Sequence, residues 1–388
     1  MQNQKKKRKL NRVDAWEVAI IVVLVLLGLV TVFSASAPSS LAETNNSYSY
    51  VLKQGVFAAL GFAACYMLSR IDYNKYNKFG LMVILYALAL ACTLSVLVPG
   101  MGRTVNGARR WITIGPIQSF QPSEGTKICL MMALVIYLQW QKDKLESTWY
   151  GTILPLLLIG GQLAVLYVIQ NHLSACIIIG LTTIVILYIS LPKRKVLTGI
   201  CCFAVVIALL IAMNYLTGSK SSFRGERLKV YLDPWSDALG TGYQPIHSRY
   251  AIASGGLFGA GLGNSTQKYK YIPEPENDFI FAIYAEEMGF AGCIIVIALF
   301  SALIHRGLKI AGNAKNSFGT TLAIGTISIV GIQILLNIGV VTTIIPTTGI
   351  SLPFFSYGGT SLVVLLASMG ILLNISRDGN EKKEVIEN

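Results

Sequence analysis

Apolar runs alternate with short polar connections along almost the whole chain. Each run reaches the roughly 20 residues that a helix needs to cross a hydrocarbon core. The runs predict spans at 14–36, 52–69, 79–98, 122–140, 151–169, 173–191, 196–216, 278–304, 318–345 and 360–376. Only the stretch 217–277 is a long connection. The pattern predicts an all-α polytopic membrane protein of about ten transmembrane helices. Its organisation reads as a basic tail over 1–13, a single membrane domain over 14–376 with a large loop (217–277) before helix 8, and a charged tail over 377–388.

Composition narrows this picture. Of 388 residues, 53% are hydrophobic and 13% charged, against about 25% charged in an ordinary soluble domain. A soluble multidomain enzyme is therefore excluded. The net charge of +13 does not point to nucleic acid, because the basic residues sit in short loops and no folded nucleic-acid motif accompanies them. Their placement fits membrane orientation instead. Lys5, Lys6, Lys7, Arg8, Lys9 and Arg12 in the first tail share one side with Arg70, Lys75, Lys78, Lys142, Lys144, Lys193, Arg194, Lys195, Arg306, Lys309 and Lys315. The short loops of the other side hold Lys53, Arg103, Arg109 and Arg110. The positive-inside rule then places both termini in the cytoplasm and the large loop outside. The first apolar run is too long for a secretory h-region, so Ala35-Ser36-Ala37 reads as part of an uncleaved helix. All seven cysteines lie in apolar runs without ligand spacing, and His172, His247 and His305 are scattered. A His/Cys metal site is not expected. No internal repeat is evident, which weighs against repeat-built transporters.

Ionisable and backbone-special residues are expensive in a membrane and call for a reason. Four segments collect them, all at the expected outer face. Asn106-Gly107-Ala108-Arg109-Arg110-Trp111-Ile112 offers guanidinium forks for an interfacial anion, or arginines snorkelling beside an interfacial tryptophan. Gln121-Pro122-Ser123-Glu124-Gly125-Thr126-Lys127 opens the fourth span with Pro in its first turn. Glu124 and Lys127 share a face there, and Lys127 sits at a positive helix end, so it needs Glu124, a ligand anion, or both. The alternative is a structural ion pair. Pro273-Glu274-Pro275-Glu276-Asn277-Asp278-Phe279 closes the large loop. Asn277 or Asp278 could cap the next helix, yet an ionised carboxylate at that membrane edge also needs partners. Glu286 and Glu287, two turns deeper, read as structural partners for other helices. Finally, 346–361 is too rich in Pro, Gly and hydroxyls for regular helix, and irregular backbone at that depth fits a buried turn or a cavity wall. In the large loop, Gly240-Thr241-Gly242-Tyr243-Gln244 and the glycine-spaced 254–263 read as re-entrant or interfacial segments shaping a cavity; as a nucleotide fingerprint these glycines are weak.

The ordered set NGARRW, QPSEGTK, YLDPWSDALGTGYQ, ASGGLFGAGLG, PEPENDFIFAIYAEEMGF and IPTTGISLPFFSYGGTSL resembles the SEDS family, the FtsW, RodA and SpoVE group. The stretch PEPENDFIFAIYAEEMGF leans toward FtsW or SpoVE. Two departures stand out. Gln170-Asn171-His172-Leu173 replaces the family's Pro-Asp-Leu-Gly type motif, so no acidic role carries to it, and Gly125 replaces a bulkier residue. The resemblance implies a peptidoglycan glycosyltransferase of the cytoplasmic membrane, in division, sporulation or elongation, with the septum as one expected location. It implies lipid II and undecaprenyl-diphosphate-linked glycan as substrates and a class B penicillin-binding transpeptidase as partner, among membrane lipids. It assigns Asp278 as general base, Lys127, Arg109 and Arg110 to the diphosphate with Glu124 orienting Lys127, and Gln244, Ser356, Tyr357, Gly358 and Gly359 to the substrate cavity. It admits a divalent cation, Mg2+ or Mn2+, held through the diphosphate and Asp278 without a dedicated protein cage. A lipid II flippase is the rival reading, and a scaffold for the transpeptidase the third.

Overall fold

The computed structural model describes residues 12–105, 108–114, 117–147, 150–191, 230–269 and 271–386. The expected span 196–216, the loop residues Asn106 and Gly107, and the basic cluster at 5–9 lie outside these. The helices are α1 (Ala15–Thr44), α2 (Ser49–Arg70), α3 (Phe79–Leu94), α4 (Pro122–Trp140), α5 (Lys142–Ser147), α6 (Tyr150–Gln170), α7 (Leu173–Ser190), α8 (Tyr243–Ser254), α9 (Ile280–Gly312), α10 (Ser317–Val341) and α11 (Gly359–Ile386). Eight among the described residues are long and apolar enough to cross a membrane: α1, α2, α3 with its 3-10 extension, α6, α7, α9, α10 and α11. α4 spans nineteen residues, and its polar opening turns lower its hydropathy. Elements therefore stand at nine of the ten expected span positions, the tenth being 196–216. The last helix runs on to Ile386 without a break at the expected tail boundary.

The expectation of an all-helical chain has one correction. The outer loop after α3 forms a small antiparallel sheet of β1 (Gly102–Val105), β2 (Ala108–Ile114) and β3 (Ile117–Phe120). These strands are shorter than a helical signal needs, and sheet pairing satisfies their backbone without one.

Local signals start and stop the helices. Asp14 caps α1 by accepting from Glu17 N, and Asn316 caps α10 by accepting from Gly319 N. Asn45 ends α1 in the left-handed region. In lipid, helices associate through close packing rather than water exclusion, which favours small residues at contacts. The α2–α11 pair follows this rule: a Cβ on Gly370 would stand 2.4 Å from Cys65 O.

α9 is broken. Gly289 has φ 65° and ψ −169°, and the outer loop fills the gap. Ala260 N and Gly261 N donate to Glu286 O and Glu287 O at 2.9 and 3.0 Å, while Phe290 N and Ala291 N donate to Gly256 O and Leu257 O at 2.9 and 3.0 Å. The backbone groups that the break frees are thus paired by the loop, as depth in a membrane demands.

Candidate active site

Two ends of the bundle differ in chemistry. At one, Arg306 pairs with Asp14 at 2.5 Å, Arg377 Nε donates to Ser69 O, and Asn316 donates to Asn74. This is the end that the lysine and arginine count assigns to the cytoplasm. The starts of α2, α4, α7, α9 and α11 meet at the other.

There, Asp278 lies half-buried just before α9. The expected capping role is not what the structure shows: the N-cap is Phe279, and it makes no side-chain capping bond. The Asp278 carboxylate instead stands over Gly349, where an added Cβ would come within 3.1 Å of Oδ2. Gly349 has φ 65°, so glycine answers both the backbone and the close approach. The Asp278 carbonyl accepts from Asn337 Nδ2 at 2.9 Å, and the same amide group donates to Ile350 O. Asn337 therefore joins the segment carrying Asp278 to the 346–358 turn.

One helical turn earlier in α10, Gln333 continues the seam. Its Nε2 donates to Ser351 O at 3.1 Å, and its Oε1 accepts from Lys127 Nζ at 3.0 Å. Lys127, 3% exposed, also pairs with Glu124 at 2.8 Å. A cation so buried at a helix N-terminus needs this carboxylate to offset desolvation and the dipole. A small cavity opens beside it, with Glu124, Gln333, Ser351, Ser356 and Ser361 as its polar walls.

The 351–359 turn is irregular but satisfied. Ser356 Oγ donates to Asn277 O and accepts from Leu352 N, both at 2.7 Å. Tyr357 N donates to Glu276 O at 2.8 Å, and the Tyr357 ring packs on Tyr50 with centroids 4.9 Å apart. Gln54 of α2 clasps the turn, donating to Ser356 O and accepting from Gly358 N. Gly359 opens α11 where a Cβ would meet the Phe57 ring at 2.2 Å. Ser356 reaches the cavity; Tyr357, Gly358 and Gly359 hold the turn behind it.

The arginines part company. In the β1–β2 ladder Thr104 faces Arg109 and Arg103 faces Trp111, so Arg110 is the extra residue of a β-bulge. The bulge re-aims it: Arg110 donates through Nη2 to Asn171 O at 2.6 Å and through Nε to Gln170 O at 3.3 Å, at the end of α6. Arg109 stays exposed. Gln244 lies on the first turn of α8, half-buried and outside the hydrogen-bonded seam from Asp278 to Lys127. Glu286 and Glu287 do serve other elements. Glu287 accepts from buried Lys268 Nζ at 3.0 Å and from Ser34 Oγ of α1 at 2.6 Å, and Glu286 accepts from Thr266 N and Oγ1.

Gln54, Gln333, Asn337 and Lys268 escaped the reading of the sequence. For Gln333 and Asn337 the signal was present: they stand four apart inside an apolar run, so they share a helix face and need partners. Glu276 is another. It is 4% exposed with Oε2 unpartnered among the described residues, and burial, with Glu274 and Glu43 nearby, pushes its carboxyl up to about 7.

A sequence profile of the cell cycle proteins FtsW, RodA and SpoVE matches residues 15–381. The chain belongs to this FtsW/RodA/SpoVE family. It is 38% identical to stage V sporulation protein E of Bacillus subtilis, over 94% of this chain and 97% of that protein. It is 36% identical to a probable peptidoglycan glycosyltransferase FtsW of Geobacter sulfurreducens, over 95% and 96%. Among solved structures it superposes on a chain from a peptidoglycan synthase complex that coordinates polymerisation and crosslinking, with TM-score 0.73, 27% identity, and 95% and 98% coverage. It also superposes on the rod shape determining protein RodA of Thermus thermophilus, with TM-score 0.64, 26% identity, and 94% and 97% coverage. An FtsW/RodA/SpoVE chain is a multi-pass membrane protein, in keeping with the eight apolar helices.

Proposed function

We propose that this FtsW/RodA/SpoVE chain is a peptidoglycan glycosyltransferase that polymerises lipid II at the outer face of the cytoplasmic membrane. The observation that carries the reading is Asp278: a half-buried carboxylate positioned over Gly349, one turn of hydrogen bonds away from the buried Lys127–Glu124 pair.

Polymerisation joins the 4-hydroxyl of an acceptor sugar to the anomeric carbon of a glycan carried on undecaprenyl diphosphate. The new C–O bond forms as the bond from that carbon to the diphosphate oxygen breaks. Asp278 takes the hydroxyl proton, and the lipid diphosphate departs with the electron pair. Lys127, Arg109 and Arg110 are the cations offered to that developing charge, with Glu124 orienting Lys127. Ser356 and Ser351 line the cavity, Tyr357, Gly358 and Gly359 shape its turn, and Gln244 is offered from the large loop. A divalent cation, Mg2+ or Mn2+, would be held by the Asp278 carboxylate together with diphosphate oxygens and water, as suits Mg2+, and would offset the charge on the leaving diphosphate. No cluster of three or more His, Cys, Asp or Glu side chains stands ready for a metal among the described residues. A class B penicillin-binding transpeptidase is the proposed partner, by analogy with the synthase complex this chain superposes on.

The test places the purified chain in liposomes with labelled lipid II, Mg2+ and a class B penicillin-binding protein lacking polymerase activity. Glycan polymer is the expected product. Lipid II that crosses the bilayer without forming polymer would overturn the reading in favour of a flippase.

A further inference from the structure

Next to Asp278, on the side away from Lys127's helix, three carboxylates gather at the ends of α1 and α2. Glu43 lies in the last turn of α1, and Glu274 and Glu276 lie in the 273–279 stretch. A chain of contacts joins them. Tyr357 N donates to Glu276 O at 2.8 Å, the Tyr357 ring packs on Tyr50 with centroids 4.9 Å apart, and Tyr50 Oη donates to Glu43 Oε2 at 2.8 Å. Glu274 Oε2 accepts from Asn277 Nδ2 at 2.9 Å on the same stretch. Like charge from Glu274 and Glu43 reaches Glu276. Among the described residues no lysine or arginine forms a salt bridge with any of the three.

Glu276 shows that the group wants an occupant. It is 4% exposed, and its Oε2 is buried without a hydrogen-bond partner among the described residues. A carboxyl withdrawn from water with an oxygen unpaired is costly. Glu43 and Glu274 stay exposed in front of it. Three acids without a cation ask for one, and the walls decide its kind. A metal ion needs several oxygens on one centre, and no group of three or more His, Cys, Asp or Glu stands ready for one among the described residues. The Tyr50 and Tyr357 rings, tilted by 49°, instead set π-faces beside the carboxylates. Aromatic faces with acidic acceptors suit an alkylammonium group, which takes both cation–π contact and charge-assisted hydrogen bonds.

Position supplies the owner of that group. Glu276 stands two residues before Asp278, and the carbonyl of Asn277 between them accepts from Ser356 Oγ of the cavity wall. A sugar at Asp278 therefore carries its substituents past these acids. Lipid II bears a short peptide on its sugar, and the diamino residue of that peptide ends in a primary amine. We propose that Tyr50, Tyr357, Glu43, Glu274 and Glu276 form an ammonium pocket that takes the peptide amine of the lipid-linked substrate, with Glu276 as its deepest acceptor. The choice of this amine rests on the glycosyltransferase reading. The pocket reads the peptide while Asp278 serves the sugar, so the chain discriminates against a substrate whose amine is blocked.

Binding tests this without turnover. The full chain carrying Asp278→Asn is titrated in detergent with lipid II and with lipid II acetylated on the peptide amine, each with and without Mg2+. Acetylation should weaken binding about tenfold, the size expected for one bond between charged groups. Glu276→Gln or Glu43→Gln, added to that chain, should weaken lipid II by a similar factor and leave the acetylated lipid unchanged, so the preference collapses. Glu43 is exposed, so its variant carries the test if Glu276→Gln does not fold. Equal affinity of the Asp278→Asn chain for the two lipids, or a preference that survives both substitutions, overturns the proposal. A loss that is equal for both lipids and appears only with Mg2+ overturns it in favour of a metal ion. The predicted binding pattern without glycan polymer from the parent chain would sink the glycosyltransferase reading alone; polymer made with no preference between the two lipids would sink the pocket alone.

Discussion

Asp278 owes its position to a residue with no side chain. Gly349 leaves room for Oδ2, 3.1 Å from where a Cβ would be, and its φ of 65° disfavours any replacement. Gly349→Ala should therefore shift the carboxylate by a fraction of an ångström. Misplacement on that scale costs about tenfold to a hundredfold in rate, so kcat should fall with KM and membrane insertion nearly unchanged, measured as glycan formation per mole of folded enzyme. Glu276, two residues before, makes a different prediction. Its carboxyl is raised to about 7 from an ordinary 4.5. Protonation thus favours the folded state: this contribution is fully present below about pH 4.5 and is lost as pH rises through about 7. Glu276→Gln should be more heat-stable than the parent at pH 8 and equal to it at pH 4.5, by thermal unfolding in detergent. Asp278 and the Glu124–Lys127 pair were legible in the sequence because charge at a membrane edge needs a reason. The burial of Glu276 was not, since the turn that covers it lies about eighty residues further along the chain.

At the scale of elements, the break in α9 separates the half-helix that follows Asp278 from the rest of the span. The loop at 256–261 is threaded into this break, and the Lys268–Glu287–Ser34 contacts fasten loop, α9 and α1 together. Gly289→Ala would bring a Cβ within 2.3 Å of Gly259 N and force a left-handed alanine. It should lower stability by about 2–3 kcal/mol and lower activity further than that loss explains, because the half-helix loses its direction; thermal unfolding and polymerisation rate on the same sample check both. The glycine-rich loop was legible as irregular, re-entrant backbone. That it completes a broken helix was not, because a lone glycine in an apolar run looks like any membrane glycine, and its partners come from another part of the chain. The bulge at Arg110 was hidden for a similar reason: adjacent arginines in sequence suggest one shared anion, and only the strand register sends one of them to α6.

For the whole molecule, the length of the apolar runs sufficed for the eight membrane-long helices among the described residues, because a helix that satisfies its own backbone is the simplest way to cross lipid. The three-stranded sheet, short and outside the apolar runs, left no comparable trace. The end of the bundle rich in Arg306, Arg377 and their partners is opposite the end that holds Asp278, Lys127 and Ser356. That polarity is what a catalyst of an exported lipid-linked substrate needs, with basic anchors on one side and chemistry on the other. The most direct test compares the purified parent and Asp278→Asn for glycan ladders from labelled lipid II, with Mg2+ and the proposed transpeptidase partner present and both proteins shown to be equally folded. The account predicts a ladder from the parent and none from the variant; a ladder of equal intensity from Asp278→Asn would contradict it.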